Sequence, residues 1–248
     1  MSVIYDTIGI NYAELRKPDP RIATMIHAAL GPARTVLNVG AGAGSYEPED
    51  RIVTAVEPSL EMIRQRRADA APVIQASAEE LPFADGAFDA SMAVLTVHHW
   101  SDQGKGLREI RRVTHGPVVI LTYDPAFRGF WLTDYIPGLI TLDEAQMPSM
   151  DLYTQWLGQV TIAPVPIPHD CTDGFLCAYW RRPEAYLDPR VRSAISSFWK
   201  LDDVSAALER LASDLRSGAW KERYGMLLGN DALDLGYRLV VGRSAVQR

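Results

Sequence analysis

The stretch Val36-Leu37-Asn38-Val39-Gly40-Ala41-Gly42-Ala43-Gly44-Ser45-Tyr46 (VLNVGAGAGSY) decides the fold. With Thr35 in front, its first half is a short apolar run rich in β-branched residues, which predicts a buried strand over 35–39. Its second half is a turn with glycine at 40, 42 and 44. Glycine takes left-handed backbone angles without steric penalty and lets another group approach the main chain closely. A dinucleotide-binding turn would place its third glycine at 45, but serine stands there and the glycine falls one residue early. Only seven residues, 45–51, separate the turn from the next predicted strand, Ile52–Val56. That leaves little room for a long helix whose N-terminus would hold a pyrophosphate.

Outward from this stretch, strand and helix patterns alternate. Upstream, Ile22, Met25, Ile26 and Ala29 recur at helical spacing between Arg21 and Leu30, and Gly31-Pro32 stops the helix. Downstream, Ser59 can cap a helix running to about Arg67. Val73-Ile74 reads as a third strand, Phe88–Val97 as a fourth and Pro117–Tyr123 as a fifth. Between the last two, Ser101 or Asp102 can cap a helix that turns Leu107, Ile110 and Val113 inward. Such alternation predicts an α/β fold, a doubly wound parallel sheet covered on both faces. After Tyr123 the rhythm changes. Residues 125–158 are aromatic and irregular, and Val160–Ile167 reads as a strand whose prolines place it near an edge. Helical patterns at 189–200 and 202–217 precede a closing strand, Leu235–Val241. Glu57 ends the second strand, 17 residues beyond Gly40. Ligands of doubly wound sheets sit outside the carboxyl ends of the strands, where an acid can accept both hydroxyl hydrogens of a ribose. The other reading of Glu57 is a solvated acid in a strand-end turn.

Five blocks, VLNVGAGAGSY (36–46), AVEPS (55–59), ASAEELPFADGAFDA (76–90), VHHW (97–100) and LREIRRV (107–113), occur in an order and spacing that resemble class I S-adenosylmethionine-dependent methyltransferases. The branch they are most similar to is the small-molecule type related to ubiquinone and menaquinone biosynthesis. The resemblance implies a doubly wound, mostly parallel seven-stranded sheet of the Rossmann-like methyltransferase type, with a helical and aromatic cap inserted after the fifth strand. It implies one domain over 1–248, made of an N-terminal helical lid (1–34), a cofactor-binding half (35–124), a cap and substrate region (125–185), and C-terminal helices with the closing strand (186–248). It implies S-adenosyl-L-methionine as cofactor and S-adenosyl-L-homocysteine as its product. Gly40, Ala41 and Gly42 would pass under the methionine part, Glu57 with Pro58 would hold the ribose, and Ser77, Ala78 and Glu79 would frame the adenine. Asn38, Val94, Tyr12 and Arg16 complete the implied cofactor set, the last two from a segment that folds over the pocket in this family. Arg16 would pair with the cofactor carboxylate; an ordinary exposed helix arginine is the other reading. Glu109 and Arg112 match a structural helix motif. The family usually has Asp where this chain has Asn38, and often where it has Ser77.

Methyl transfer from a sulfonium requires alignment, exclusion of water and, for some acceptors, removal of a proton. The candidate bases are His98, His99 and His169, with Asp124 at the end of the fifth strand; at most one or two histidines would act, and packing or a structural hydrogen bond is the favoured reading of each. If the fourth strand continues through them, His98 and His99 point to opposite faces. Trp100, Asp124, Trp131 and Tyr135 are candidates to line the acceptor, with simple core filling as the alternative for the aromatic rings.

Composition bounds these expectations. The 248 residues are 47% hydrophobic and 23% charged, ordinary for a globular chain and unlike a disordered one. The excess of 31 acidic over 25 basic residues argues against a nucleic-acid partner, which calls for a basic surface. Cys171 and Cys177 have neither redox-pair spacing nor the number for a thiolate metal site, so no metal is expected. No apolar run approaches a membrane span, and MSVIYDTIGI lacks a basic region before an apolar core, which predicts a cytoplasmic chain without a signal peptide. The expected partner is a small-molecule substrate, with no nucleic acid and no membrane, on a monomer or homodimer. Two alternatives remain. One is a non-catalytic S-adenosylmethionine-binding partner subunit. The other is a nicotinamide-dependent oxidoreductase, which the glycine spacing and the absence of any Tyr-x-x-x-Lys pair disfavour. Asp124-Pro125-Ala126-Phe127 resembles the motif of amino-methylating nucleic-acid enzymes, but it follows the wrong strand and lacks the second proline.

Overall fold

The computed structural model describes residues 15–243. Seven strands form one sheet: β1 (Thr35–Val39), β2 (Ile52–Val56), β3 (Val73–Ile74), β4 (Ala90–Val94), β5 (Val118–Tyr123), β6 (Val160–Pro168) and β7 (Ala232–Gly242). Their order is β3-β2-β1-β4-β5-β7-β6. The first five are parallel, and β7 runs antiparallel between β5 and β6. This is the mostly parallel, doubly wound sheet expected. Strand order reverses direction between β1 and β4, so their carboxyl ends splay and leave a crevice there.

Side chains alternate across the sheet with period two. On β5, Val118 and Ile120 join one apolar cluster, while Val119 and Leu121 join the other. Every residue of β5 is buried, because both faces are covered. On one face lies α1 (Pro20–Ala29), started by Asp19, whose side chain accepts from Arg21 N at 3.0 Å, and anchored by Ile22 and Ile26. On the other lies α3 (Gln103–Val113), which buries Leu107, Ile110 and Val113. Asp102 rather than Ser101 caps it, accepting from Lys105 N at 2.8 Å.

Boundaries differ from the sequence reading where backbone geometry intervenes. Helix α2 (Leu60–Arg64), capped by Ser59, ends three residues before Arg67. β4 stops at Val94 because Leu95 takes a positive φ of 52°, after which Val97–His99 form a single tight helical turn. The inserted segment divides between the faces. Helix α4 (Gly138–Gln146) packs Leu139 into the cluster of α1, whereas α5 (Met150–Leu157) packs Tyr153 and Leu157 into that of α3. The expected helix over 189–200 is two short pieces, α6 (Pro189–Ser193) and α7 (Ser197–Lys200), followed by α8 (Ser205–Ser217) and α9 (Ala219–Tyr224). β6 lies at the sheet edge, with a register shift between Pro164 and Pro166 where N–H donors are missing. No helix joins β1 to β2.

The chain entering α1 is fastened to the loop after β6. Gly174 N donates to Leu15 O at 2.9 Å, Thr172 N donates to Asp19 Oδ2 at 3.2 Å, and Arg16 pairs with the buried Asp173 at 2.5 Å. Tyr46 donates its hydroxyl to the same Asp173 at 2.9 Å. This strap lies over the crevice of the sheet.

Candidate active site

At the carboxyl ends of β1, β2 and β4 the crevice opens into a cavity of about 600 Å³, within the usual range for a small-molecule site. The glycine turn forms its floor. Gly40 has φ 68°, and a Cβ there would lie 2.1 Å from Thr96 Oγ1, so the turn can run against Thr96 only without a side chain. Gly40 N and Ala41 N donate to Val56 O at 2.9 and 3.0 Å, which locks the turn against the end of β2. That places Gly42 N 2.8 Å from Glu57 Oε2, while Ser59 N donates to Oε1 at 2.9 Å. Each carboxylate oxygen of the buried Glu57 is thereby held by a backbone donor, and the residue lines the cavity.

Asn38 sits beneath the turn, 2% exposed. Its Nδ2 donates to Glu47 Oε1 at 3.1 Å. Glu47 accepts two further bonds from Arg66 Nη2, at 2.8 and 2.9 Å, and one from Ala71 N at 3.2 Å. Glu47 comes from the short connection between β1 and β2. Because a carboxylate only accepts, the amide nitrogen of Asn38 must face it, and the amide oxygen is left for the cavity side. The amide at position 38 and the acid at 47 are therefore one structural unit.

The strand end at Val94 reshapes the opposite wall. The turn through Leu95 brings both His98 and His99 to the cavity, their rings 3.9 Å apart and tilted by 47°. The expectation that they point to opposite faces is thus corrected: the strand does not continue through them. Their accessible surface faces the cavity, and the surrounding protein pushes both basicities down, His98 well below its usual value and His99 to about 3, burial being the largest cause for each. Both rings are neutral near pH 7.

Beyond the histidines a narrow chamber of about 50 Å³ continues from the cavity, sharing Arg16, Leu95, His98 and His99 with it. Its walls include Tyr123, Phe175, Tyr237 and Met147, and one acid, Asp143 of α4. Asp143 is 6% exposed, and burial raises its pKa to about 6.

The methyltransferase domain family matches residues 37–120, the segment from β1 to β5. A protein of Anabaena variabilis ATCC 29413, described as a proposed methyltransferase from an antibiotic biosynthesis pathway, superposes with a TM-score of 0.87 at 32% identity, covering 94% of this chain and 100% of that one. The chain belongs to the S-adenosylmethionine-dependent methyltransferase family. The 2-methyl-6-phytyl-1,4-hydroquinone methyltransferase 1 of Oryza sativa subsp. japonica is 26% identical over 66% of this chain and 53% of its own length. The demethylmenaquinone methyltransferase of Corynebacterium kroppenstedtii is 33% identical over 33% of this chain and 38% of its own length. The chain spans about half the length of the first two curated relatives it matches.

In this family member, Arg16, Asn38, the glycine turn, Glu57 and Pro58 line the large cavity, together with Ser77, Ala78, Glu79, Val94 and Trp100. Tyr12 lies outside the described residues. Arg16 is neither an exposed helix residue nor free for a carboxylate ligand: it is ion-paired with Asp173 at the junction of cavity and chamber. Glu79 Oε1 accepts from Ser101 N, Ser101 Oγ and Asp102 N at 2.8, 2.8 and 3.1 Å, so it also fixes the start of α3. Glu109 and Arg112 do pair, at 2.7 Å, and the same guanidinium donates to Phe83 O and Leu81 O.

Four candidates fall elsewhere. Asp124 lines neither space; its carboxylate closes a turn by accepting from Ala126 N at 3.0 Å and lies 3.8 Å from Arg238. His169 follows β6 on the far edge and donates its backbone N–H to Asp231 O. Trp131 and Tyr135 are core: Trp131 Nε1 donates to Trp180 O at 2.8 Å, and its ring meets Trp220 edge-on at 5.3 Å. Tyr135 is buried beside them and donates to Asp214 at 2.7 Å. Sequence reasoning missed Thr96, Lys200 and Asp143. Thr96 was signalled only by the need for glycine at 40. Lys200 and Asp143 come from helices remote in sequence, where a charged residue on a helix gives no sign of which cavity it will meet.

Proposed function

We propose that this chain transfers the methyl group of S-adenosyl-L-methionine to O, N or C of a small, partly apolar metabolite. The observation that carries the reading is the Glu57 carboxylate, held by Gly42 N and Ser59 N on the floor of a cavity at the sheet's switch point. When bound, the cofactor supplies a methyl group on a positively charged sulfur, already activated for displacement. The residues present fit it. Glu57 has lone pairs for two ribose hydroxyls, and the Asn38 oxygen is an acceptor for an ammonium group. Val94 and Trp100 provide apolar lining, and Ser77 with Glu79 offers polar atoms at the far end.

The chain's remaining work is positioning. Val94 and Leu95 form an apolar wall that keeps water from the reacting centre. His98 and His99 stay neutral, so they add no positive charge opposite a sulfonium and can hydrogen-bond an acceptor without carrying its proton. Arg16 of the strap, held by Asp173, lines both spaces. The names of the quinone-related relatives support an apolar ring as part of the acceptor. Incubating the protein with labelled S-adenosylmethionine and a metabolite extract tests the proposal. Label appearing on a small molecule is expected; S-adenosylhomocysteine-binding protein that labels nothing would overturn turnover in favour of a binding subunit.

A further inference from the structure

One acid stands in the wall of the inner chamber. Asp143 is 94% buried in a space whose walls include Tyr123, Phe175, Tyr237 and Met147, with Arg16, His98 and His99 on the side of the cavity. Among the described residues no cation lies within ion-pair distance of it, although Lys200 and Arg128 both attract its charge. Lys200 Nζ is 2.6 Å from Gln146 Oε1, and Arg128 is paired outward with Glu144. The neutral Gln146 side chain beside it lowers the cost of its charge only in part. A buried carboxylate with a single neutral donor is costly to keep, and that cost is relieved when a cation enters beside it. Aromatic faces around a carboxylate favour the same kind of guest, since the ring quadrupole attracts positive charge. An anionic guest would meet the opposite.

Resting on the methyl-transfer reading above, we infer that the acceptor is a small amine, that Asp143 holds its ammonium group in the inner chamber, and that the amine nitrogen receives the methyl group. The chamber joins the cofactor cavity at Leu95, His98 and His99, so an ammonium seated at Asp143 approaches from the side those residues line. The ammonium gives one proton to the Asp143 carboxylate. The freed nitrogen lone pair forms the N–CH3 bond while the S–CH3 bond breaks, and its electron pair stays on sulfur as a neutral thioether. The product leaves as a protonated methylamine, and Asp143 returns its proton to solvent. A carboxyl group whose pKa burial has moved toward neutrality suits that exchange better than an ordinary one. The two neutral histidines add no positive charge of their own to the passage, whose wall also carries Arg16, ion-paired with Asp173.

Three probes of one shape test this: benzylamine, benzyl alcohol and benzoate. They are titrated by ligand-observed NMR against the full chain saturated with S-adenosylhomocysteine, near pH 7.5. Benzylamine is expected to bind at least about tenfold more tightly than the alcohol, with benzoate weakest. Asp143→Asn is expected to erase the amine preference while S-adenosylhomocysteine still binds. Equal or better binding of the alcohol, strongest binding of benzoate, no binding of any probe, or a preference that survives in Asp143→Asn would each overturn the proposal. Should the variant fail to fold, the ranking on the unaltered chain decides alone. Failure of S-adenosylhomocysteine to bind would defeat the methyl-transfer reading itself. The same three probes on the free protein then judge the amine site separately, where loss of the amine preference overturns it.

Discussion

Replacing Asn38 by aspartate, the residue its family usually carries there, is expected to destabilise this chain. Asn38 Nδ2 lies 3.1 Å from Glu47 Oε1, both groups buried beneath the glycine turn. Asn38→Asp would put two carboxylate oxygens at that separation. Two unit charges about 3 Å apart repel by about 5 kcal/mol at an effective dielectric of about 20. The Arg66 guanidinium, already 2.8 Å from Glu47, would be shared between the two acids and offset part of that. The lost amide hydrogen bond adds to the cost. A net loss of about 2–4 kcal/mol near pH 7 follows, or a fall in Tm of about 5–15 °C for a chain of this size. Thermal and urea unfolding at pH 7 and pH 4 measures it. At the lower pH one carboxyl takes a proton and can donate to the other, so the deficit should shrink. Adding Glu47→Gln to Asn38→Asp restores a donor–acceptor pair and should recover about half of the loss. Wild-type stability of Asn38→Asp at pH 7, or an equal loss at both pH values, would refute the coupling of residues 38 and 47.

Three further outcomes follow from the same geometry. Glu57→Gln turns one acceptor oxygen into a donor facing a backbone N–H, so S-adenosylhomocysteine affinity should fall by about 10–150-fold, the equivalent of about 1.5–3 kcal/mol; calorimetry returning the wild-type constant would remove Glu57 from the donor site. Gly40→Ala places a Cβ 2.1 Å from Thr96 Oγ1 at φ 68° and should cost about 2–4 kcal/mol of stability, which denaturant unfolding measures; an unchanged midpoint would mean the turn has room the structure does not show. Burial lowers the folded-state pKa of His98 and His99, so the unfolded chain takes up protons below about pH 6.5 that the folded chain refuses. Stability should therefore drop as pH falls from about 6.5, by up to about 1.4 kcal/mol per pH unit for each ring, and His99→Gln should flatten the profile; identical profiles would contradict rings that the fold holds neutral.

The cofactor half was legible because its signals are local. The run from Thr35 to Val39 is too apolar and too short to be anything but a buried strand, and glycines at 40, 42 and 44 leave the turn little choice. Glu57 could be placed because strand length and a seven-residue connection fix where β2 ends. Both histidines line the cavity, whereas a continuing strand would have pointed them to opposite faces. Nothing in Val94-Leu95-Thr96 announces the positive φ that ends β4. The acceptor side was not legible. Trp131 and Tyr135 have the composition of a binding pocket, yet they fill the core, because an apolar ring satisfies either environment equally. Asp143 escaped notice for the opposite reason: an acid beside Glu144 on a helix reads as solvated until tertiary packing buries it.

The measurement that bears most directly on the account is a calorimetric titration of the intact chain with S-adenosylhomocysteine and, separately, with NADH. The cavity floor of Gly40, Gly42 and Glu57 predicts saturable one-to-one binding of S-adenosylhomocysteine and no heat from NADH. Saturable NADH binding with no response to S-adenosylhomocysteine would contradict it.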